Sequence, residues 1–277
     1  MPFLRMFYRK FLPATHLKPY VECYFIWENN TVLSCPLTIE SPPNGFASMV
    51  FNYGTPYRVT SQRLNGGLVA KNFLTGQATK SYQLQLSGTI GMVGIVFRPA
   101  GLNSLFGLPM YEYSDERANL RDVLGRQVDE YSDKIEEAIS HTERIELLEQ
   151  FLNLQLLSKN TQPDRTDYAA NLIVDQYGVV NINDLMSDLF VCRRQFERKF
   201  LQKVGVSPKY YARIRRVGFL CHQLAQKRWQ IADWQDLIYK SGYYDQSHFI
   251  KEFTEFTGKA PSLYVKNNIE LAHYLTS

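Results

Sequence analysis

The side chains best suited to chemistry are grouped in the last third of this sequence, and they are hydrogen-bonding heads rather than nucleophiles. Arg193, Arg194, Glu197 and Arg198 fall in one short run, VCRRQFERKF, and Gln246, Ser247 and Lys251 in another, DQSHFIKEF. Arg offers paired donors that match the guanine edge, Glu accepts from the cytosine amino group and Gln pairs with adenine. Each good bidentate pair contributes roughly 1–3 kcal/mol of discrimination. Such heads act together only if a rigid element projects them from one face.

The elements that must do so are written twice. Phe196, Phe200, Gly205, Pro208 and Tyr211 recur 53 residues later as Phe249, Phe253, Gly258, Pro261 and Tyr264. Two phenylalanines four apart share a helix face and turn it inward. A Gly five residues on suits a left-handed helix end, and Pro three further on suits a new first turn. Each copy follows an apolar Asp-Leu stretch (Asp184-Leu185-Met186 and Asp236-Leu237-Ile238). A short helix leading into a second helix of this kind is helix-turn-helix grammar, and two copies in register make the pattern specific. The composition predicts helices near 166–177, 182–189, 193–203, 208–226, 233–240, 246–256 and 261–266. The stretch Pro208–Lys227 reads as a helical spacer of about 30 Å at the usual rise. Lys209, Arg213 and Arg216 on it are candidate phosphate contacts.

Charge follows the same division. Residues 1–160 hold 15 Lys/Arg and 15 Asp/Glu, whereas 161–277 hold 16 and 12, so the net +4 lies wholly in the second part. Between Phe190 and Arg216 nine basic residues face Glu197 alone. A stripe of this sign favours a phosphate-facing surface and double-stranded DNA as partner.

Residues 1–110 read as strands and turns: Cys23–Trp27, Ser48–Tyr53, Tyr57–Thr60 and Gly91–Phe97 are short, aromatic or β-branched, and bounded by Gly, Pro or Asn. Such punctuation suggests a closed or sandwich-like β structure, and a cupin-like barrel is the expectation. Pro99 opens a short helix that Gly107-Leu108-Pro109 ends. Residues 115–158 then predict two or three amphipathic helices. Their acidic bias (12 Asp/Glu against five Lys/Arg over residues 101–150) suits a packing or dimer-forming layer better than DNA. The expected architecture is α+β in two domains: residues 1–158 for sensing or dimerisation, a polar linker at 159–166, and an all-helical domain at 167–277. No run approaches the ~20 apolar residues of a membrane span. The first residues lack signal-peptide form, and cytoplasm is the default location.

Residues 166–266 resemble the DNA-binding domain of AraC/XylS-type transcriptional regulators, through RRQFERKF…VGVSPKYYARIRR in the first half and DLIYKSGYYDQSHFIKEF…TGKAPSLY in the second. The resemblance implies a bacterial, sequence-specific regulator with two helix-turn-helix units joined by a long helix. It places Arg194, Glu197, Arg198, Gln246, Ser247 and Lys251 at base-reading positions, and makes RNA polymerase a partner if the protein activates. Where the family commonly has a small residue, a turn glycine and a Ser cap, this chain has Met186, Phe190 and Cys192, and Ile238 replaces the usual Ala of the second unit. Residues 1–160 resemble an uncharacterised sensor-like domain found before such modules, through ECYFIWE, FNYG-x-PYRV, FLTGQ and GIVFRPAG…LFGLP.

Catalysis in the N-terminal part finds little support. His16 and His141 are the histidines before residue 160, and residues 41–111 contain no Asp, Glu or His. Cys23, Cys35, Cys192 and Cys221 form no CxxC or Cys/His cluster, so neither a zinc site, a cofactor nor a disulfide framework is indicated. No thiol has the basic company that a sacrificial DNA-repair cysteine requires. A small-molecule effector remains open. Trp27, Tyr53 and Tyr57 are candidate pocket aromatics, with Arg98 the anchor for an anion, or else a surface Arg paired with the acidic helices. The competing reading is an N-terminal binding or enzymatic module to which DNA contact is incidental.

Overall fold

The computed structural model describes residues 6–29, 31–159, 162–227 and 234–267. The strands come first: β1 (Met6–Phe11), β2 (Val21–Asn29), β3 (Leu33–Ser41), β4 (Ala47–Asn52), β5 (Arg58–Thr60), β6 (Asn65–Leu68), β7 (Asn72–Thr75), β8 (Tyr82–Gly88), β9 (Gly91–Phe97) and β10 (Arg117–Asn119). They pair as two antiparallel sheets, β1-β2-β9-β4-β7-β10 and β3-β8-β5-β6, rather than as a closed barrel. Pro42 and Pro43 stand between β3 and β4, and Pro56 precedes β5. Proline cannot donate to a ladder, so these positions stop pairing from running continuously around the structure.

Side-chain alternation gives the larger sheet two buried faces. Tyr24, Ile26, Met49, Phe51, Leu74, Val93 and Ile95 point to one side, where α1 (Gly101–Phe106), α2 (Leu120–Leu124), α3 (Gln127–Glu137) and α4 (His141–Lys159) cover them with Leu102, Leu105, Leu120, Ile135, Leu148 and Phe151. Trp27, Val50, Phe73 and Met92 point to the other side, against Ile39, Val59 and Leu86 of the smaller sheet. The acidic helices expected as a packing layer do pack, on the sheet of their own domain.

Helices α5 (Arg165–Asp175), α6 (Ile182–Asp188), α7 (Arg193–Val204), α8 (Pro208–Gln226), α9 (Trp234–Lys240), α10 (Gln246–Thr257) and α11 (Pro261–Asn267) follow. Their boundaries have local causes. Asp164 closes a capping box with Asp167 at the start of α5, Asn181 caps α6, and Ser207 caps α8 with Pro208 in its first turn. Gly205 and Gly258 end α7 and α10 in the left-handed conformation. Phe196, Phe200, Tyr211 and their counterparts Phe249, Phe253, Tyr264 are all buried, so the 53-residue repeat is a repeat of core positions. The expected linker lies between α4 and α5. Its residues 160 and 161, the first five residues and residues 268–277 are outside the described residues.

The two parts share one apolar core: Val59 and Leu86 of the strands belong to the same cluster as Phe200, Tyr211 and Phe253. Polar ties reinforce it. The Tyr211 hydroxyl donates to the Gly45 carbonyl at 2.7 Å, and Arg215, only 8% exposed, donates to the Asn44 carbonyl while lying 4.2 Å over the Phe46 ring. Ser104 donates to Asp167 at 2.6 Å, and Lys203 pairs with the same carboxylate. At the other end the Ser81 amide donates to the Phe256 carbonyl at 2.9 Å, and Lys259 pairs with Glu40.

Candidate nucleic-acid interface

Helices α7 and α10 are each introduced by a tight turn whose chemistry differs between the copies. In the first, Val191 N–H donates to the Met186 carbonyl and Phe190 N–H to the Ser187 carbonyl; in the second, Tyr243 donates to Ile238 and Gly242 to Tyr239. Phe190 and Gly242 therefore occupy equivalent places, with φ of 50° and 74°. From there the chain reaches Arg193 of α7 through two residues and Gln246 of α10 through three. Cys192 caps α7 without a side-chain bond, whereas the Asp245 carboxylate accepts from the His248 amide at 2.8 Å.

The expected base-reading residues lie on the exposed faces of two helices. Arg193, Arg194, Glu197 and Arg198 are exposed on the first turns of α7, opposite buried Phe196 and Phe200, and Lys199 joins them. Gln246, Ser247 and Lys251 are exposed on α10, with Ile250 between them. Arg193, Arg194 and Arg198 stand at the places that Gln246, Ser247 and Lys251 occupy 53 residues later. Arg193 Nε donates to Glu197 at 3.0 Å in an exposed i,i+4 pair, a contact that solvent renders weak and readily exchanged.

The phosphate candidates divide. Lys209 is exposed in the first turn of α8. Arg213 instead turns inward: Nε donates to Glu252 at 2.8 Å and NH2 to Glu255 at 2.5 Å. Burial works against its charge, but these two carboxylates more than offset it and raise its pKa above the ordinary arginine value. Arg216 is half-buried, with NH2 3.4 Å from the Gly178 carbonyl and its guanidinium 5.2 Å over the Tyr243 ring. Arg213 and Arg216, the other two expected phosphate contacts, are thus engaged within the fold. α8 is packed on several sides, so a basic residue on it is as readily a strut as a surface charge. The same holds for Lys203 and Arg215, so four of the nine basic residues in the stripe act inside the fold.

The four effector candidates do not converge. Trp27 faces the smaller sheet, and Tyr57 is buried there with its ring 6.2 Å from Phe73. Tyr53 donates to Glu28 at 2.5 Å beneath the Arg144 guanidinium, 4.3 Å from its ring. His141 meets the same carboxylate at 2.8 Å. Burial opposes ionisation of Glu28, yet the hydrogen bonds from Tyr53 and His141 and the charge of Arg144 hold its carboxyl below the usual range. Arg98 is taken by Glu22 at 3.0 Å and Asp175 of α5 at 2.7 Å, an interdomain ion pair rather than an open anion anchor. A cavity of about 390 Å³ that sequence reading missed lies elsewhere, lined by His16, Pro19, Tyr20, Leu156, Leu157 and Pro163. No local signal announces it, because its walls come from segments far apart in the chain. Burial pushes the Cys23 thiol up to about 11, away from nucleophilic use. Among the described residues no group of His, Cys, Asp or Glu could hold a metal ion, and no helix is long and apolar enough to cross a membrane.

Comparison with known proteins agrees with this geometry. Residues 185–267 match the family described as Helix-turn-helix domain, and residues 9–119 match Domain of unknown function (DUF6597). No curated protein sequence matches the chain. Among solved structures, ToxT from Vibrio cholerae is 14% identical, with 88% of this chain and 97% of that one covered at a TM-score of 0.45. Unsaturated fatty acid bound ToxT from the same organism is 16% identical, with 86% and 96% covered at 0.40. The AraC-like transcriptional activator CuxR is 12% identical, with 76% and 93% covered at 0.28. These likenesses are loose, and the assignment rests on the domain match and the duplicated motif. Residues 185–267 are an AraC-type helix-turn-helix domain, the DNA-binding module of a transcription regulator, and they stand behind an N-terminal domain of unknown function.

Proposed function

We propose that α7 and α10 enter adjacent major grooves on one face of the duplex, α7 presenting Arg193, Arg194, Glu197 and Arg198 to base edges and α10 presenting Gln246, Ser247 and Lys251. The observation that carries this reading is the equal placement of the two exposed sets on helices whose phenylalanines are all buried. The nineteen residues of α8 span about 28 Å at the usual rise, close to the roughly 34 Å between successive major grooves. Lys209, exposed near the start of that helix, is the phosphate contact. The regulator works in the cytoplasm, and its N-terminal domain adjusts DNA binding by taking a small-molecule effector or by pairing with a second copy. Where it activates, RNA polymerase is the further partner.

The test is selection of bound duplexes from a random-sequence pool by the full-length chain at physiological salt. A defined motif is expected, and sequence-blind binding would overturn the reading. Arg194→Ala should weaken the selected site far more than unrelated DNA. Lys209→Ala should weaken both alike and reduce the salt dependence by about one counterion.

A further inference from the structure

We propose that Arg213 and Glu252 are positioning residues that fix the pose of the second reading helix on α8, and through it the base preference of that helix. The inference rests on the reading of α10 as a DNA-contacting helix.

Glu252 lies on the inner face of α10, 3% exposed, one residue beyond base-reading Lys251. Burying a carboxylate is costly unless its oxygens are matched, and here both are. Oε2 accepts from Arg213 Nε at 2.8 Å, and Oε1 accepts from the Tyr243 hydroxyl at 2.9 Å. His248, also on α10, lies 3.7 Å from Oε2. Arg213 then reaches one turn further: NH2 donates to Glu255 at 2.5 Å, and the guanidinium lies 5.0 Å over the Phe256 ring. Tyr243 belongs to the turn that introduces α10, so one arginine of α8 holds the middle and end of the helix directly and its entry through Glu252. A planar fork with donors in fixed directions resists rotation of α10 about its own axis, as a single ammonium does not. Rotation matters because a change of facing at Gln246 and Lys251 moves their heads off the base edges. The first unit is held differently. α7 has no buried acid on its inner face, and its Lys203 pairs with Asp167 of α5.

The rival role for Arg213 is a phosphate contact held by Glu252 until DNA arrives, and the two roles predict opposite signs. Glu252→Gln removes a negative charge near the duplex and releases Arg213. A phosphate role therefore predicts tighter binding to all DNA. Positioning predicts weaker binding of the selected duplex, by about tenfold, with the loss confined to the half-site whose preference shifts in Gln246→Ala. Arg213→Ala should give the same half-site loss, the double variant should be no worse than either single one, and Arg213→Lys should fail to restore it. Base preference at the half-site read by α7 should stay unchanged throughout.

Full-length variants are compared by affinity and by hydroxyl-radical footprint on the duplex selected by the wild type. Equal or tighter binding by Glu252→Gln with an unchanged footprint would overturn the proposal, as would full rescue by Arg213→Lys. If Glu252→Gln does not fold, Tyr243→Phe decides: it removes one hydroxyl and should relax the same half-site severalfold, and unchanged preference there counts against positioning. A wild type that selects no sequence would instead sink the reading of α10 itself.

Discussion

The two helix-turn-helix units share their core and differ in nearly everything that supports it. Phe196 and Phe200 sit as Phe249 and Phe253 do, and both copies end in a left-handed glycine followed by a helix-opening proline. The first unit, however, is tied to the N-terminal domain at its reading helix. Ser114 donates to the Gly205 carbonyl at 3.0 Å, and a Cβ at Gly205 would lie 2.7 Å from the Met110 carbonyl oxygen, whereas Gly258 has nothing within 4 Å. The second unit is tied to α8 through Arg213 and to the smaller sheet through the Ser81 amide. The two copies thus share a packing code, while the contacts that hold each helix differ.

The largest effect expected from this difference is at Asp167. Its carboxylate is 3% exposed, takes Lys203 and Ser104, and closes the capping box with Asp164. Asp167→Ala leaves the mostly buried Lys203 ammonium with Asp164 alone, at 3.1 Å, and removes the Ser104 acceptor and one half of the capping box, a loss of about 1.5–3 kcal/mol. Thermal denaturation should show a markedly lower Tm, and the footprint should weaken first at the half-site read by α7. Asp164 beside it adds a pH dependence. Burial opposes its charge, but hydrogen bonds from Asp167 and Lys203 prevail and hold its carboxyl well below the usual range. A folded pKa depressed in this way gives stability that is complete above the ordinary value of about 3.9 and is lost as pH falls below it. Melting curves should therefore fall off below about pH 4, and less so in Asp167→Ala.

Next in size is the contrast between the reading faces. Arg194→Ala or Arg198→Ala should cost roughly 1–3 kcal/mol on the selected duplex, a loss of about fivefold to 150-fold, because each removes a bidentate donor. Gln246→Ala and Lys251→Ala should each cost only severalfold in affinity while shifting base preference. Titrations of the four variants at one salt concentration check the ranking, and equal losses from both faces would erase the asymmetry.

How much of this was legible in the sequence follows from how locally each feature is determined. The seven C-terminal helices could be read because their start and stop residues, such as Ser207-Pro208 and Gly258, act within one turn. Strands β2, β4, β5 and β9 were legible as apolar runs. β3, β6 and β8 were not, since LSCPLTIES, NGGL and YQLQLSG show their alternation only once a facing sheet exists. The exposure of the polar residues on α7 and α10 was legible because the buried phenylalanines define the opposite face. The roles of Arg213, Arg215 and Arg216 were not, because whether a basic residue of α8 meets solvent or a buried acceptor depends on Glu252, Asn44 and Gly178, each distant in sequence. Arg98 was hidden for the same reason, its partner Asp175 lying across the domain boundary.

The smallest effects expected lie in the turns, and they bear most directly on whether the first unit is the less well formed of the two. Phe190 holds a left-handed backbone while its side chain is 88% exposed, so it has the strain of a non-glycine residue there with no burial to offset it. Phe190→Gly should therefore stabilise the protein by up to about 1 kcal/mol, the relief at φ of 50° being partly cancelled by the freer unfolded chain. The reciprocal change should go the other way: Gly242→Ala meets both φ of 74° and the Val179 side chain 2.8 Å from the new Cβ. At the caps the expected signs also oppose. Cys192→Ser supplies α7 with the oxygen it lacks and should add about 0.5–1 kcal/mol, whereas Asp245→Ala removes the acceptor at α10 and should cost about 1 kcal/mol. Urea titrations of the four variants measure these differences. Should Phe190→Gly and Cys192→Ser both destabilise, the first turn is shaped by something other than its local backbone, and the exposed Phe190 ring becomes the place to look for it.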